Sequence, residues 1–227
     1  NVGALPALAK TWDVPVYAHP QEFPYLTGRA AYPPPDPTVG GGMIARSSMI
    51  YPRGPLNLSP WLKPLPDDYS VPYLQGWRWI HTPGHTPGHV SFFRDQDRLL
   101  LAGDAFVTVK QESAMAVLIQ YPKVHRPPAY YTTDWRAARD SVRKLLGLEP
   151  QVAATGHGVP MSGQRLQEEL QSLFQGFSKA MPKHGRYVEH PARADESGVI
   201  YVPPQRRSWG QIALPLLGAT AFLVGLG

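Results

Sequence analysis

The chain has 227 residues, with 26 prolines, 21 glycines, no cysteine and a formal net charge of +5. This length suits one domain with a substantial core. The missing cysteine excludes disulfides and thiolate metal sites, leaves His, Asp and Glu as strong ligands, and agrees with a reducing compartment. Basic residues are scattered, with no run longer than Arg206-Arg207, so no nucleic-acid partner is expected.

Residues 3–11 read as a helix, apolar at Leu5, Leu8 and Ala9. Asp13 to His19 reads as a short strand between turn residues. Residues 20–70 read as irregular, with the proline run Tyr32 to Pro37, the triplet Gly40 to Gly42, and Phe23, Tyr25, Tyr32, Tyr51 and Trp61 expected at the surface. A stretch of this length without structure is usually functional or disordered. A lid or substrate-facing loop is favoured here over a plain solvated insertion. From residue 76 the texture changes. Residues 77–80, 90–94 and 98–102 read as strands, and Asp95 to Asp97 is the turn of a hairpin between the last two. Asp134 to Leu148 is an amphipathic helix with Trp135, Ala138, Val142, Leu145 and Leu146 on one side. Asp134 is its expected N-cap, and Gly147 lies near its end. Residues 151–154 form a strand. Residues 162–179 form a second amphipathic helix, striped by Leu166, Leu170, Leu173, Phe174 and Phe177. Alternating strands and helices imply a layered α/β fold.

The most specific feature is the nonapeptide His81-Thr-Pro-Gly-His85-Thr-Pro-Gly-His89. Its prolines and glycines rule out a regular helix, so the histidines share no helical face. They sit on a tight loop after a strand. Two more segments have the same character: the apolar run 99–102 ends in Gly103-Asp104, and the run 152–155 ends in Gly156-His157-Gly158. Each strand thus ends in a small-residue turn with His or Asp at its tip, and glycine beside such a residue lets backbone approach closely. Each residue alone reads as a cap or surface residue. Together, His85, Asp104 and His157 read as parts of a metal site. Lys110 reads either as an exposed lysine or as a partner for a substrate anion.

These segments resemble the metallo-β-lactamase-fold hydrolase superfamily, and look most like its glyoxalase II-like members. The likeness rests on residues 83–88, 103–104 and 156–158 and on separations of 19 and 53 residues (85 to 104, 104 to 157). It extends from Val2 to about Pro204. It implies an αββα sandwich in which His85 binds one metal, His157 the other, and Asp104 bridges both. His81 and His89 would then be supporting residues that hydrogen-bond a ligand. The resemblance implies a hydrolase of esters, thioesters or lactones, acting on a small molecule with hydroxide activated by two zinc ions; iron or manganese also suit such ligands. The superfamily's His-x-His-x-Asp-His motif is absent. It is expected just upstream of residue 1, which makes this chain an N-terminally truncated piece with two protein ligands per metal, weak in zinc binding and in activity.

Residues 1–204 are therefore read as a partial hydrolase domain with an insertion at 20–76, and 205–227 as an apolar tail. Gly210 to Gly227 carries no charge. As a helix it would span about 27 Å. Arg206, Arg207 and Trp209 before it suit a cytoplasmic flank and an interface anchor. A cytoplasmic protein held at the inner face of the membrane is one expectation; a buried terminal helix, weakened by Pro215, is the other. Rival functions are a di-iron oxidoreductase of the same fold, for which no flavin domain is visible, a nuclease, which would need a basic groove, and a metal-free binding relic.

Overall fold

The computed structural model describes residues 3–40, 48 and 56–205. Helix α1 (Leu5–Trp12) begins with a proline in its first turn and stops at Asp13, whose φ of 49° turns the chain out of the helix. Strand β1 (Val16–Ala18) follows, then the short helix α2 (Phe23–Leu26) and strand β2 (Leu62–Pro64). β1 and β2 pair in parallel as a two-stranded sheet. The main sheet is built from β3 (Trp77–His81), β4 (Val90–Arg94), β5 (Leu99–Gly103), β6 (Val152–Thr155) and β7 (Met161–Ser162), side by side in that order. The helices beyond β5 are α3 (Ala114–Ile119), α4 (Trp135–Leu146), α5 (Gly163–Gln175), α6 (Phe177–Ala180) and α7 (Arg186–Glu189). A hairpin of β8 (Arg193–Asp195) and β9 (Gly198–Tyr201) closes the described chain.

The pairing directions matter for function. β4 is antiparallel to both β3 and β5, while β5 and β6 are parallel. So β3, β5 and β6 run the same way, and their C-terminal ends meet one edge of the sheet. The alternation of side chains along each strand turns Ile80, Phe93, Leu100, Ala102 and Ala153 to a common core. Helices α4 and α5 bring Trp135, Ala138, Val142, Leu145, Leu166, Leu170 and Leu173 to the same core, and Phe177 joins from α6. On the opposite face Trp79 packs near Tyr69 and donates its indole N–H to the Pro66 carbonyl at 2.9 Å, while Leu101 remains 38% exposed. The expected α/β class, the hairpin 90–103 and both amphipathic helices are present. Helix α4 carries Asp134 as N-cap, its carboxylate accepting from the Arg136 and Ala137 amides at 2.9 Å each.

Two expectations are corrected. The segment 20–70 is packed where it is described: Tyr25, Asp36 and Leu58 are buried, and part of the segment forms β2. Tyr25, expected at the surface, is buried, and Glu22 and Asp36 are spent on internal contacts, while Asp67, Asp68 and Tyr69 stay exposed. The expected helix 162–179 divides at Gly176 into α5 and α6. Helix α3, strand β7 and the β8–β9 hairpin were not expected. Tyr51, Gly41, Gly42 and the tail 210–227 lie outside the described residues; among those described, no helix is long and apolar enough to cross a membrane.

Candidate metal centre

The three strand ends deliver His85, Asp104 and His157 to one cluster. A bulge in β5 between Leu101 and Gly103 shifts the register just before Asp104, which re-aims the residue that follows. Asp104 Oδ2 lies 3.5 Å from His85 Nε2, and Oδ1 lies 3.6 Å from His157 Nε2. Both distances exceed a normal hydrogen bond. Two donors held on one tetrahedral ion by bonds of about 2.1 Å stand about 3.4 Å apart. The carboxylate thus offers one oxygen to each imidazole at the separation that a shared ion would set. Asp104 Oδ1 is buried without a hydrogen-bond partner, and so is His85 Nδ1. A buried unpaired polar atom is costly, and an ion beside Oδ1 would remove that cost. Space is reserved there too: a Cβ on Gly156 would fall 2.4 Å from Oδ1. The residues present fit a metal pair. Among the described residues no three such side chains close on a single point; the cluster is two pairs that share Asp104.

The loop 81–89 is fastened to α4. The Gly84 carbonyl accepts from the Thr133 and Asp134 amides at 2.9 and 3.0 Å, and Ser141 Oγ donates to the Pro83 carbonyl at 2.7 Å. Gly84 has φ +133°, and a Cβ there would lie 2.4 Å from the Ala138 nitrogen, so only glycine lets the loop sit this close to the helix. Burial holds His85 below its ordinary pKa, opposed by Asp104 and assisted by His157. The ring is therefore neutral near pH 7, the state that can bind a metal.

His89 supports Asp104. Its Nε2 accepts the Asp104 amide at 2.9 Å, so its proton must sit on Nδ1. That proton goes to Thr82, whose Oγ1 is 2.9 Å away; Thr82 Oγ1 meets Ser91 Oγ at 2.9 Å, and Ser91 donates to the Ala102 carbonyl at 3.0 Å. The chain of bonds has one direction and uses both ring nitrogens. Burial, then His85, lowers the His89 pKa to about 4, which preserves this tautomer. His81 does not reach the cluster. Its Nε2 donates to the Pro87 carbonyl at 2.8 Å, and its ring stacks on His19 at 4.1 Å.

A residue that sequence reading missed is Glu22. It is buried beneath the loop and accepts from Thr86 Oγ1 at 2.7 Å, from the Gly88 amide at 2.8 Å and from the Tyr32 hydroxyl. Burial raises its pKa, against the effect of these three donors. Nothing in the local sequence signals it, since its partners on the loop lie 64 and 66 positions away. Lys110 is exposed, and lines a cavity that includes none of His85, Asp104 and His157. At the His157 turn, the Thr108 amide donates to the His157 carbonyl at 3.1 Å and Thr108 Oγ1 to the Val159 carbonyl at 2.7 Å.

The model of the metallo-beta-lactamase superfamily matches residues 2–157. The probable metallo-hydrolase YflN of Bacillus subtilis (strain 168) is 49% identical over 173 residues, covering 76% of this chain and 66% of its own length. The probable metallo-hydrolase YybB of the same organism is 27% identical over 158 residues, covering 70% of this chain and 59% of its own. The chain thus spans about two thirds or less of these relatives. Among solved structures, the BLEG-1 B3 metallo-beta-lactamase gives a TM-score of 0.50 at 24% identity, covering 74% of this chain and 68% of its own, a likeness of fold.

Proposed function

Because the chain belongs to the metallo-beta-lactamase superfamily, we propose that it carries part of the two-metal centre of a hydrolase acting on a small ester, thioester or lactone. His85 would hold one ion, His157 the other, and Asp104 both. The observation that carries this reading is the Asp104 carboxylate set between two imidazoles at 3.5 and 3.6 Å, too far to hydrogen-bond and suitably placed to share ions. When bound, a pair of zinc ions supplies Lewis acidity and a water acidified to near neutrality. The protein's own part is preorganisation. His89 fixes the Asp104 backbone, Thr108 fixes the turn of His157, and α4 with Glu22 fixes the loop of His85.

The described residues give each ion two donors, whereas catalytic zinc normally keeps three protein ligands. This chain by itself should therefore hold metal weakly and turn over slowly. Metal analysis of the full chain dialysed against zinc, iron and manganese tests the centre. We expect substoichiometric, exchangeable zinc that is abolished in the His85→Ala/His157→Ala variant. Equal metal content in that variant would overturn the reading, and preferential uptake of iron would move it toward redox chemistry. Thioester and lactone hydrolysis by the same samples tests the activity. The tail 210–227 is proposed as a membrane anchor, and recovery of the protein wholly outside the membrane fraction would contradict that.

A further inference from the structure

The chain leaves the sheet after β5, carries α3 at the far end of an excursion, and returns. The two stems of that excursion and the C-terminal part of α5 enclose an open cavity of about 370 Å³. The charged and titratable groups on its wall are Lys110, Glu112, Lys123, His125, Arg126 and Glu169. Their pairing is uneven. Glu112 Oε1 accepts from Arg126 Nη1 at 2.6 Å and from the Ala129 amide at 3.0 Å. Glu169 accepts from the Val124 amide at 2.7 Å and from Arg165 Nε at 2.9 Å. Both carboxylates are thus spent, and each is matched by an arginine. Lys110 and Lys123 are exposed, and their side-chain ammonium groups have no ion-pair or hydrogen-bond partner among the described residues. His125 stands within electrostatic reach of both: burial, then Lys123, lowers its pKa, Glu112 opposes, and Lys110 and Arg126 add to the lowering.

Like charges gathered on one concave wall repel one another, and an anion between them removes the repulsion and gains charge-assisted hydrogen bonds. We propose that this cavity binds the phosphate or carboxylate group of a small molecule, held by Lys110, Lys123 and His125. The volume falls in the range of small-molecule sites, roughly 300–1,000 Å³. The site stands apart from the metal centre, none of whose three residues lines it, and it does not rest on the metal reading. It adjoins the support of that centre: the Lys123 amide donates to the Thr108 carbonyl at 2.9 Å, and Thr108 holds the turn of His157.

Isothermal titration of the full chain with inorganic phosphate at low ionic strength tests the site, with succinate as the carboxylate probe. Saturable one-to-one binding is expected for at least one of the two probes. It should weaken at least about tenfold in Lys110→Ala/Lys123→Ala and stay unchanged in Asp104→Asn, where the metal centre is disabled. Both lysines are exposed, so circular dichroism should match the parent; a Lys123→Gln variant gives the same comparison with less change of bulk. Absence of saturable binding for both probes, undiminished binding in the lysine variants, or loss of binding in Asp104→Asn would each overturn the proposal, the last by placing the anion on the metals.

Discussion

The histidine loop 81–89 and the segment 22–36 beneath it, which is irregular after the single turn of α2, both bear prolines, yet they are fastened by opposite means. The loop mainly offers neutral carbonyls. Pro83, Gly84 and Pro87 accept from Ser141 of α4, from Thr133 and Asp134 just before that helix, and from His81. The lower segment offers buried carboxylates instead. Glu22 collects three donors, and fully buried Asp36 accepts from the Thr38 amide at 2.9 Å and from the Arg186 amide at 2.5 Å. The carbonyls carry no charge to titrate, while burial raises the pKa of Glu22 and makes its fastening depend on pH. Irregular backbone near a site can therefore be held firmly in two ways, and one of them brings a pH dependence with it.

The largest effect is expected at what both regions hold. If Asp104 bridges the ions as proposed, Asp104→Asn takes an anionic donor from each, and metal affinity should fall by more than the roughly 10- to 100-fold loss typical of an outer-shell change, with the melting temperature of the metal-free chain little altered. Metal titration followed by thermal unfolding checks both halves. Next is the neutral fastening. Gly84→Ala places a methyl against the α4 backbone at positive φ, and should cost about 3 kcal/mol in denaturant unfolding. Full stability in that variant would mean that the loop does not need its contact with α4. The charged fastening should matter somewhat less. Glu22→Ala leaves Thr86 Oγ1 and the Gly88 amide without their acceptor and should cost about 2 kcal/mol. It should also weaken metal binding, because the loop it releases carries His85. Unchanged metal affinity would show that the two regions act independently.

The smallest effect separates the two kinds of fastening by pH. Burial raises the Glu22 pKa in the folded state, so between its ordinary value of 4.5 and the raised value the folded chain binds more protons, and stability falls as pH rises. His19 has the opposite sign. Burial, then His81, lowers it to about 4 from 6.5, so the unfolded chain binds more protons in that window and stability rises with pH. The two oppose each other above pH 4.5. In Glu22→Gln the melting temperature should climb more steeply between pH 4.5 and 6.5 than in the parent. One group changes stability by at most about 1.4 kcal/mol per pH unit. Parallel curves for the two proteins would show that Glu22 does not titrate in this window.

Much of the frame was legible because its signals are local. Strand β4 spans the residues its alternation marks, the hairpin turn takes Asp95 to Asp97 as expected and adds Arg98 at φ 54°, and Asp134 caps α4 as its side chain requires. The strand-end cluster was legible because three glycine-flanked tips imply a common edge. Two elements carried signals that could have been read: Ser113 caps α3, and the Asp195 to Gly198 turn joins β8 to β9. The packing of 20–40 was not legible. Proline and glycine read as an irregular stretch, while the groups that order it come from residues 86, 88, 130 and 186. Lys110 is exposed, one of the two readings its sequence left open, and six positions from Asp104 are enough for the chain to turn it into a cavity lined by none of His85, Asp104 and His157.

Adjacent parallel strands β5 and β6 oblige the chain between them to cross back over the sheet, and α4 makes that return. The excursion that carries α3 is an appendage to this crossover. The spacing of Asp104 and His157 is set by the hydrogen bonds of β5 to β6, so lengthening or shortening residues 111–122 leaves it untouched. The fold thereby separates the pair of strand tips, tied by the ladder, from the excursion with its exposed Met115, Leu118 and Ile119, which hangs outside it.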